Sequence, residues 1–401
     1  MKILVLNLYY PPDTSATAKM AAAFLEPLAA KHDVTLICGR PSYDPTERRQ
    51  WRLWQTERSG GVAVIRVGST DYPRTQMTRR VVNYLTYVAL SVPRVLFVRC
   101  DVVLAMTDPP FEGIVGAFVA VLKRKPFVYN IRDLYPDMAL GGSIVAPGLL
   151  ARVWEKLHRW ALRRAARVIV LGEDMQVRIV AKGVDRNRVA IVRDGAEIVA
   201  NVSAPPELDA DVVAAIRSGF RFVLLHAGNL GFYGAWDTLL AAAREMEGDG
   251  VGLVFVGDGA ERARLQAAVT SSANVRFLPF FPANKIASVL AAGDLHVVTI
   301  KRGLEGVVVP SKMYGILAAG RPVVAVAPQQ TDAASLGMRE GFGVAADPDQ
   351  PAELVAIVRA LLADPARLVA MGTAARVAAS QYARVNETRK FVRILEEANQ
   401  S

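Results

Sequence analysis

The sequence predicts an α/β protein made of two doubly wound domains, each built on a parallel sheet. Short apolar runs typical of buried strands alternate with helical segments along nearly the whole chain. The alternation stops once, in a polar, proline-containing stretch at residues 201–208, and then restarts. The length of 401 residues fits two or three domains. We therefore predict a first domain at residues 1–200, a second at 201–380, and a final helix at 381–401 that packs back on the first.

Composition restricts the classes of partner. The chain carries 48 lysines and arginines against 38 acidic residues, a net charge of +10 that suits nucleic acid, anionic lipid or phosphorylated substrates. It has neither a basic stripe with interleaved aromatics nor a nucleic-acid-binding motif, so we expect no nucleic acid partner. Two cysteines imply no disulfide framework and favour a reducing compartment. The N-terminus passes straight into a strand pattern, unlike a signal peptide, so we expect a cytoplasmic protein.

The chain opens with a strand-loop-helix-strand pattern. Residues 2–7 read as a buried strand, a helix of small residues covers 16–30, and a second strand covers 33–38. The loop between the first strand and the helix contains Tyr10, Asp13, Thr14 and Ser15. Doubly wound sheets bind ligands at the carboxyl ends of their strands, so this loop is a candidate binding loop. It lacks the G-x-G-x-x-G fingerprint, which argues against a dinucleotide site.

Residues 79–99 form the next informative stretch, after a polar segment at 41–58 that we predict to be irregular and a strand at 62–67. They begin with Arg79 and Arg80 and are then almost wholly apolar, with two tyrosines. Pro93 and Arg94 interrupt the run too early for a membrane span, which needs about 20 apolar residues. Two hypotheses remain: a helix that lies in the interface of an anionic membrane, and a core helix of the first domain.

Two acidic residues follow further strands of the first domain. Asp108 comes after a strand at 101–106, and Asp133 comes after a strand at 127–131. The charged pair Arg132-Asp133 directly after an apolar strand is costly to bury without a purpose. Asp133 is therefore a site candidate; the alternatives are a salt bridge to Arg132 or a helix cap.

The second half carries three features that suit phosphate. Glycine-rich turns at 228–231 and 257–259 each follow a predicted strand. Between strands at 295–300 and 323–327, Pro310 and Ser311 stand where a helix would begin, and Lys312 adds a positive charge to its N-terminus. Glu305, on the preceding loop, is placed to accept hydrogen bonds from sugar hydroxyls. The alternative is an ordinary strand-loop-helix with a capping serine and a solvated lysine. The absence of G-x-x-x-x-G-K-[ST] argues against a phosphate-loop NTPase.

These motifs carry a family resemblance over nearly the whole chain. HAGNLG at 226–231, VGDG at 256–259 and LEGVVVPSKMYGILAAGRPV at 304–323 resemble the GT-B glycosyltransferases of family 4, and most of all the bacterial branch that makes surface polysaccharides and lipid-linked glycans. YYPP at 9–12, IRDLYP at 131–136 and RRAARVIVL at 163–171 fit the same family. The resemblance implies two Rossmann-like domains facing a cleft.

The resemblance also implies a reaction and a set of site residues. The reaction is retaining transfer of a hexosyl group from a UDP- or GDP-sugar, without metal or cofactor, to a glycan or polyprenyl-linked acceptor at the inner face of the cytoplasmic membrane. The residues expected in chemistry are Asp133, Glu305 and Lys312. Those expected on the donor side are Gly228, Asn229, Leu230, Gly231, Gly257, Leu278, Glu305, Pro310, Ser311, Lys312, Met313 and Tyr314. Those expected on the acceptor side are Tyr10, Asp13, Thr14, Ser15 and Asp108.

The chain departs from the family pattern at two places. Gly315 stands where many members have a second glutamate near the start of the helix, and Phe232-Tyr233-Gly234 stands where a basic residue often follows the glycine turn. The first departure leaves a second reading open, a protein of the same fold that binds a nucleotide sugar or glycan without catalysis. A sugar epimerase of the same fold is a more remote alternative.

Overall fold

The computed structural model describes residues 1–41, 52–72, 77–197, 207–270 and 272–400, and divides into two compact units. Unit 1 comprises Met1–Leu171, Gln176–Val192 and Glu387–Ser401; unit 2 comprises Gly172–Met175 and Arg193–Asn386. The predicted linker at 201–208 falls mostly outside the described residues. Each unit is an α/β domain on a largely or wholly parallel sheet, so the predicted fold class is confirmed.

The sheet of unit 1 has the strand order β3-β4-β2-β1-β5-β6-β7-β8 over the described residues. Its strands are β1 Lys2–Leu6, β2 Asp33–Gly39, β3 Trp54–Ser59, β4 Val62–Val67, β5 Val102–Ala105, β6 Phe127–Asn130, β7 Arg167–Val170 and β8 Val189–Ile191. Among the strands that the structure describes in this sheet, only β3 is antiparallel to its neighbour. The prediction of an irregular segment at 41–58 is wrong for β3, whose polar sequence suits a half-exposed edge strand.

Helices cover this sheet. They are α1 Ala16–Ala29, α2 Met77–Phe97, α3 Glu112–Lys123, α4 Asp137–Gly141, α5 Leu149–Arg164, α6 Glu173–Ala181 and α15 Arg384–Gln400. α2 continues through Pro93 to Phe97, beyond the predicted interruption. In α15, Phe391 packs its ring 5.0 Å from that of Phe24, so the end of the chain completes the core of unit 1. Among the described helices, none is long and apolar enough to span a lipid bilayer.

The sheet of unit 2 is parallel, with the strand order β11-β10-β9-β12-β13-β14. Its strands are β9 Phe222–Ala227, β10 Val251–Val256, β11 Val275–Leu278, β12 Leu295–Thr299, β13 Val323–Val326 and β14 Gly343–Ala346. Its helices are α7 Ala210–Arg217, α8 Trp236–Glu245, α9 Arg262–Ala268, α10 Ile286–Ala292, α11 Lys312–Ala318, α12 Asp332–Arg339, α13 Pro351–Ala363 and α14 Pro365–Gln381. The strands are almost entirely apolar because helices cover both faces.

Each sheet has a point where the strand order reverses. In unit 1 the chain leaves β1 first toward β2 and later returns to add β5 on its other side. In unit 2 the chain leaves β9 toward β10 and later returns to add β12. Ligands of doubly wound proteins bind outside the carboxyl ends of the strands at such a reversal. The loops that follow β1, β5, β9 and β12 are therefore the places to look for a site.

Candidate functional site

The two glycine turns of unit 2 lie directly against each other. Leu230 N donates to Asp258 O over 2.8 Å, and Gly228 N donates to Val256 O over 2.8 Å. A Cβ atom on Gly257, which has φ +147°, would lie only 2.0 Å from the carbonyl oxygen of Gly228. A Cβ atom on Gly259 would lie 2.4 Å from Leu230 O. Only glycine allows this approach, so the main chains of the two turns pack directly on each other.

Lys312 lies beside the first glycine turn. It begins α11, after the loop that follows β12, and its Nζ is 2.9 Å from Nε2 of His226 at the end of β9. A Cβ atom on Gly228 would be 3.1 Å from that Nζ. The half-buried ammonium group forms no ion pair with a carboxylate in the described part of the chain. Its charge is therefore available to an anion at the sheet reversal of unit 2.

Burial controls protonation at this pair. It lowers the pKa of Lys312 to about 7, far below the usual lysine range. It also lowers the pKa of His226 well below its ordinary value, and the nearby Lys312 lowers it further, so the imidazole is neutral at pH 7. A bound anion would stabilise the ammonium form and raise the pKa of Lys312 again. The site therefore gains a full positive charge when a phosphate arrives.

The start of α11 differs in detail from the prediction. Ser311 occupies the N-cap position, but its backbone is helical and its side chain makes no capping hydrogen bond, so the predicted capping role is wrong. Its hydroxyl is exposed, next to buried Pro310. Met313 and Tyr314 are buried in a core cluster with Val298, and they fix the helix through packing. Gly315 is exposed, with only a side-chain atom of Leu290 near its Cβ position, so packing does not require a glycine there.

The loop that carries Glu305 is held by backbone contacts. The half-buried carboxylate of Glu305 accepts a hydrogen bond from Gly303 N over 2.9 Å. Gly306, at φ +64°, donates its N–H to Oδ2 of Asp174 over 3.1 Å. A Cβ atom on Gly306 would lie 2.5 Å from the backbone oxygen of Asp174. The position of Glu305 therefore depends on Asp174, which comes from a distant part of the chain.

Asp174 belongs to a buried polar network that was not predicted from the sequence. Its Oδ2 also accepts from the backbone of Asp332 over 3.1 Å, and Arg193 donates to Oδ1 of Asp332 over 2.7 Å. Burial raises the pKa of Asp174 to about 6. Asp174 is 132 residues from Gly306 and 158 from Asp332. Separations of this size leave no local pattern in sequence, and a charged residue after a buried strand was the only available signal.

Two more residues, Lys301 and Phe280, lie at the glycine turns. Lys301 follows β12, donates its backbone N–H to Tyr233 O, and places its ammonium 5.5 Å from the centre of the Phe232 ring. The fold thus brings a basic group to the segment where the family pattern has one in sequence. Phe280 is 60% exposed, and its ring lies 3.3 Å from the Cβ position of Gly257.

The remaining donor-side residues contribute mainly through their backbones. Leu278 accepts a hydrogen bond from Gly257 N over 3.0 Å. The Asn229 carbonyl accepts from the Tyr233 hydroxyl, and the Gly231 carbonyl accepts from the Trp236 indole. The side chain of Leu230 is fully buried. Base and phosphate recognition at such positions would leave little trace in residue type.

In unit 1, the loop after β1 is mostly committed to local structure. Tyr10 is fully buried and its hydroxyl donates to Ser59 O. Asp13 accepts from Ser15 N, and Ser15 in turn caps α1 by accepting from Ala18 N. Asp13 and Ser15 are buried, whereas Thr14 is exposed. Of these four predicted residues, Thr14 is the one whose side chain is exposed.

A second group of side chains gathers at the sheet reversal of unit 1. Leu8 N donates to Asp108 O over 2.7 Å, which joins the loops after β1 and β5. Burial raises the pKa of Tyr135 well above its ordinary value, and the charges of Asp133 and Asp108 raise it further. Asp133 and Asp108, both half-buried, therefore act on the same phenol. The predicted residues from two strands come together here with Tyr135.

Family models match both halves of the chain. A model described as "Glycosyl transferase 4-like domain" matches residues 15–195, and one described as "Glycosyl transferases group 1" matches residues 221–364. The glycine turns, the Glu305 loop and Lys312 fall in the second match, and Asp108 and Asp133 fall in the first.

Curated relatives extend over most of the chain. WcaI of Escherichia coli K12, whose name assigns it to colanic acid biosynthesis as a glycosyl transferase, is 26% identical over 387 residues, which cover 91% of this chain and 93% of that protein. WbjE of Pseudomonas aeruginosa, named as a glycosyltransferase, is 24% identical over 263 residues, covering 65% of this chain and 66% of that protein.

Solved structures share the fold from end to end. HepE of Anabaena, in a complex with UDP-glucose, has a TM-score of 0.70 at 18% identity, with 99% of this chain and all of that chain aligned. WaaG, a glycosyltransferase involved in lipopolysaccharide biosynthesis, has a TM-score of 0.63 at 16% identity, with 98% of this chain and 99% of that chain aligned.

Proposed function

The chain belongs to the GT-B glycosyltransferases, and from this premise we propose that unit 2 binds a nucleoside diphosphate sugar whose hexosyl group the protein transfers with retention of configuration. One observation carries the proposal. The Lys312 ammonium lies beside Gly228 at the sheet reversal of unit 2, where the first glycine turn puts no side chain against it. A cation next to main chain without side chains suits a diphosphate.

The chemistry follows from where charge develops. Breaking the bond between sugar and diphosphate builds negative charge on the leaving phosphate and positive charge on the anomeric carbon. Lys312, with its charge restored by the bound anion, stabilises the first, an electrostatic role comparable to that of an oxyanion hole. Lys301, whose ammonium lies over the ring of Phe232 directly after the glycine turn, supplies a second cation near the same phosphates. Glu305 accepts hydrogen bonds from hydroxyl groups of the sugar. These side chains perform the reaction without a metal ion.

Retention and the acceptor side form the next part of the proposal. The acceptor hydroxyl attacks from the face that the diphosphate leaves, and the leaving phosphate helps to take its proton. Asp133, half-buried beside Tyr135 and Asp108, orients that hydroxyl. Asp133→Asn should therefore lower kcat at least tenfold and leave donor affinity unchanged.

The relatives suggest a branch and a donor. The name of WcaI points to polysaccharide biosynthesis, and the matching "4-like" model points to family 4, so we place the chain in the bacterial surface-polysaccharide branch of that family. The UDP-glucose complex of HepE makes a UDP-sugar the first donor to test. Phe280, exposed beside Gly257, offers a ring on which a base can stack. The acceptor is a glycan or a polyprenyl-linked glycan.

Peripheral contact with an anionic membrane completes the proposal. The helix α2 exposes apolar side chains, among them Leu85 at 56% and Phe97 at 80%, on a segment that also carries Arg79 and Arg94. Basic and apolar side chains on one amphipathic helix suit an anionic bilayer surface. The protein should sediment with vesicles that contain anionic lipid, and Leu85→Ser/Phe97→Ser should weaken this. Equal sedimentation with neutral vesicles would oppose the proposal.

The experiment that tests the donor site is a thermal-shift screen of wild type and Lys312→Ala against UDP, GDP, ADP, TDP and CMP. A ligand at 100 times its Kd stabilises the folded state by about 2.7 kcal/mol, which is readily measured. We expect one diphosphate to stabilise wild type and the variant to lose this stabilisation. If no nucleotide stabilises wild type, the donor site is refuted. A donor that binds without hydrolysis or transfer would favour the non-catalytic alternative raised by Gly315.

A further inference from the structure

Unit 1 contains a pocket that the assignment of the donor site leaves unused. It lies at the carboxyl ends of β1, β2 and β4, beside the sheet reversal. Its lining combines two arginines with side chains that carry hydroxyl and amide groups, among them Arg40, Ser69, Thr70, Arg80, Asn83 and Tyr84. This pocket is called the arginine pocket below.

The two arginines come from different elements. Arg40 follows β2 and donates through Nη2 to Ser69 O over 2.8 Å. Arg80 lies on α2 and donates through Nε to the Tyr84 hydroxyl over 2.5 Å. Neither forms an ion pair with a carboxylate in the part of the chain that the structure describes. The Nε of Arg40 is buried and has no hydrogen-bond partner among those residues. A buried donor without a partner costs about 1–3 kcal/mol, so a ligand that accepts from it is favoured.

The lining also has a fixed geometry. Asn83 accepts from the hydroxyl of Thr70 over 2.9 Å and donates to Tyr72 O over 3.0 Å. These bonds hold the segment after β4 against α2. Asp71 contributes one carboxylate, which has interactions of its own, against the two guanidinium groups. The arginine pocket thus keeps an excess of positive charge.

The arginine pocket adjoins the residues proposed for the acceptor. Tyr84, on its wall, hydrogen-bonds to Tyr9, and burial together with the charge of Asp108 raises the pKa of Tyr84. The pKa of Tyr135 is raised by Asp133 and by Tyr84 and is lowered by Arg80. Leu8, also on the wall of the pocket, donates its backbone N–H to Asp108 O over 2.7 Å, so a group bound between the two arginines lies next to the loop that carries Asp108.

We propose that the arginine pocket binds an oxyanion carried by the acceptor, either a phosphate ester or a sugar carboxylate, between Arg40 and Arg80. Guanidinium groups form paired hydrogen bonds to both kinds of anion. This rests on the proposed function, since it assigns a chemical feature to the acceptor of that reaction. It implies that a neutral sugar without such a group is a poor acceptor.

The test measures anion binding calorimetrically in full-length Lys312→Ala, in which the donor phosphate site is disabled. Inorganic pyrophosphate and glucuronate are titrated separately, so that the two sources of the oxyanion are distinguished. We expect at least one of them to bind this protein. Adding Arg40→Gln and Arg80→Gln should raise its Kd at least tenfold. Adding Arg58→Gln, which changes an exposed arginine on β3, should change the Kd less than twofold.

The proposal is overturned if Lys312→Ala binds neither anion, or if the double arginine change behaves like Arg58→Gln. Should the double change lower Tm by several degrees, the single variants Arg40→Lys and Arg80→Lys decide, because each keeps the charge and loses the paired hydrogen bonds. Each should raise the Kd at least threefold, and unchanged binding would overturn the proposal. Failure of the donor proposal is visible separately, as a nucleotide shift that Lys312→Ala retains.

Discussion

The two units have the same kind of sheet and the same kind of reversal, yet they build their candidate sites from different materials. In unit 2 the site beside Lys312 is built of backbone: Gly228 puts no side chain against the ammonium, and Gly257 lets the second turn pack directly on the first. In unit 1 the reversal is lined by the side chains of tyrosines, arginines and aspartates such as Tyr84, Arg80 and Asp108. A site made of backbone suits a ligand group that is the same in every donor, such as a diphosphate. A site made of side chains can be altered by substitution to fit acceptors that differ from one another.

The largest effect should come from Lys312, the cation that lies beside the first glycine turn of unit 2. Lys312→Ala should lower kcat/KM for the donor by about a hundredfold to a thousandfold, or about 2.7–4 kcal/mol, because the leaving phosphate loses its charge partner. Steady-state kinetics with varied donor measures this. Lys285→Ala is the control, since that lysine forms only a partly exposed ion pair with Asp209 in the same unit. If Lys312→Ala lowered donor kcat/KM less than threefold, the assignment of the diphosphate to the glycine turns beside Lys312 would be contradicted.

A substitution at a glycine that packs against the other turn should lower the free energy of unfolding more than a substitution at a glycine that only has a positive φ. Gly257→Ala should cost about 3 kcal/mol in urea unfolding, since the new Cβ meets Gly228 O in addition to the strain at positive φ. Gly248→Ala also has a positive φ, but its Cβ would meet nothing within 4 Å, so it should cost about 1 kcal/mol. Equal losses of unfolding free energy in Gly257→Ala and Gly248→Ala would mean that the close packing of the two turns does not contribute to stability.

The buried network beneath the Glu305 loop should affect the donor by about tenfold. In Asp174→Asn the amide can place an NH2 group against the backbone donors of Gly306 and Asp332, which removes an acceptor from buried N–H groups. Donor KM should rise about tenfold. In the matched control Asp209→Asn, asparagine still caps α7 and KM should not change. If both variants behave alike, the network is structural only.

The activity at the donor site should change about fivefold with pH, through the ionisation of Lys312. Because the folded-state pKa of Lys312 is about 7, donor kcat/KM should fall about fivefold between pH 7 and pH 8 as the ammonium is lost. Because the pKa of Lys312 is lower in the folded state than in the unfolded state, the unfolded state binds more protons between pH 7 and 10.5. The contribution of Lys312 to the free energy of unfolding therefore rises with pH across this range. The activity slope should vanish in Lys312→Ala. A slope that persists there would belong to another group.

The smallest effect should come from one hydroxyl of the side-chain site. Tyr84→Phe removes the acceptor for Arg80 Nε and should raise acceptor KM about threefold, while donor KM stays the same. Kinetics with each substrate varied in turn would show this split. A matching rise in donor KM would show that the two sites are not built independently.

The alternation of apolar strands with helices determined by itself the fold class and the presence of a parallel sheet in each half of the chain, because strands covered on two faces must be apolar throughout. Turn chemistry also determined where the glycine-rich loops and Lys312 lie in the chain. Local patterns failed for β3, whose polar residues suit an edge, and for Ser311, whose side chain does not cap.

Only the tertiary structure decided which charges meet. Lys312 reaches His226 across 86 residues, and Gly306 reaches Asp174 across 132. It also decided that Tyr10 and Met313 are core residues, and that Lys301 and Arg40 face candidate sites. The physical reason is that the period of a strand or helix records which face is buried, whereas the charge and hydrogen-bonding partners of a group depend on residues far away in the chain.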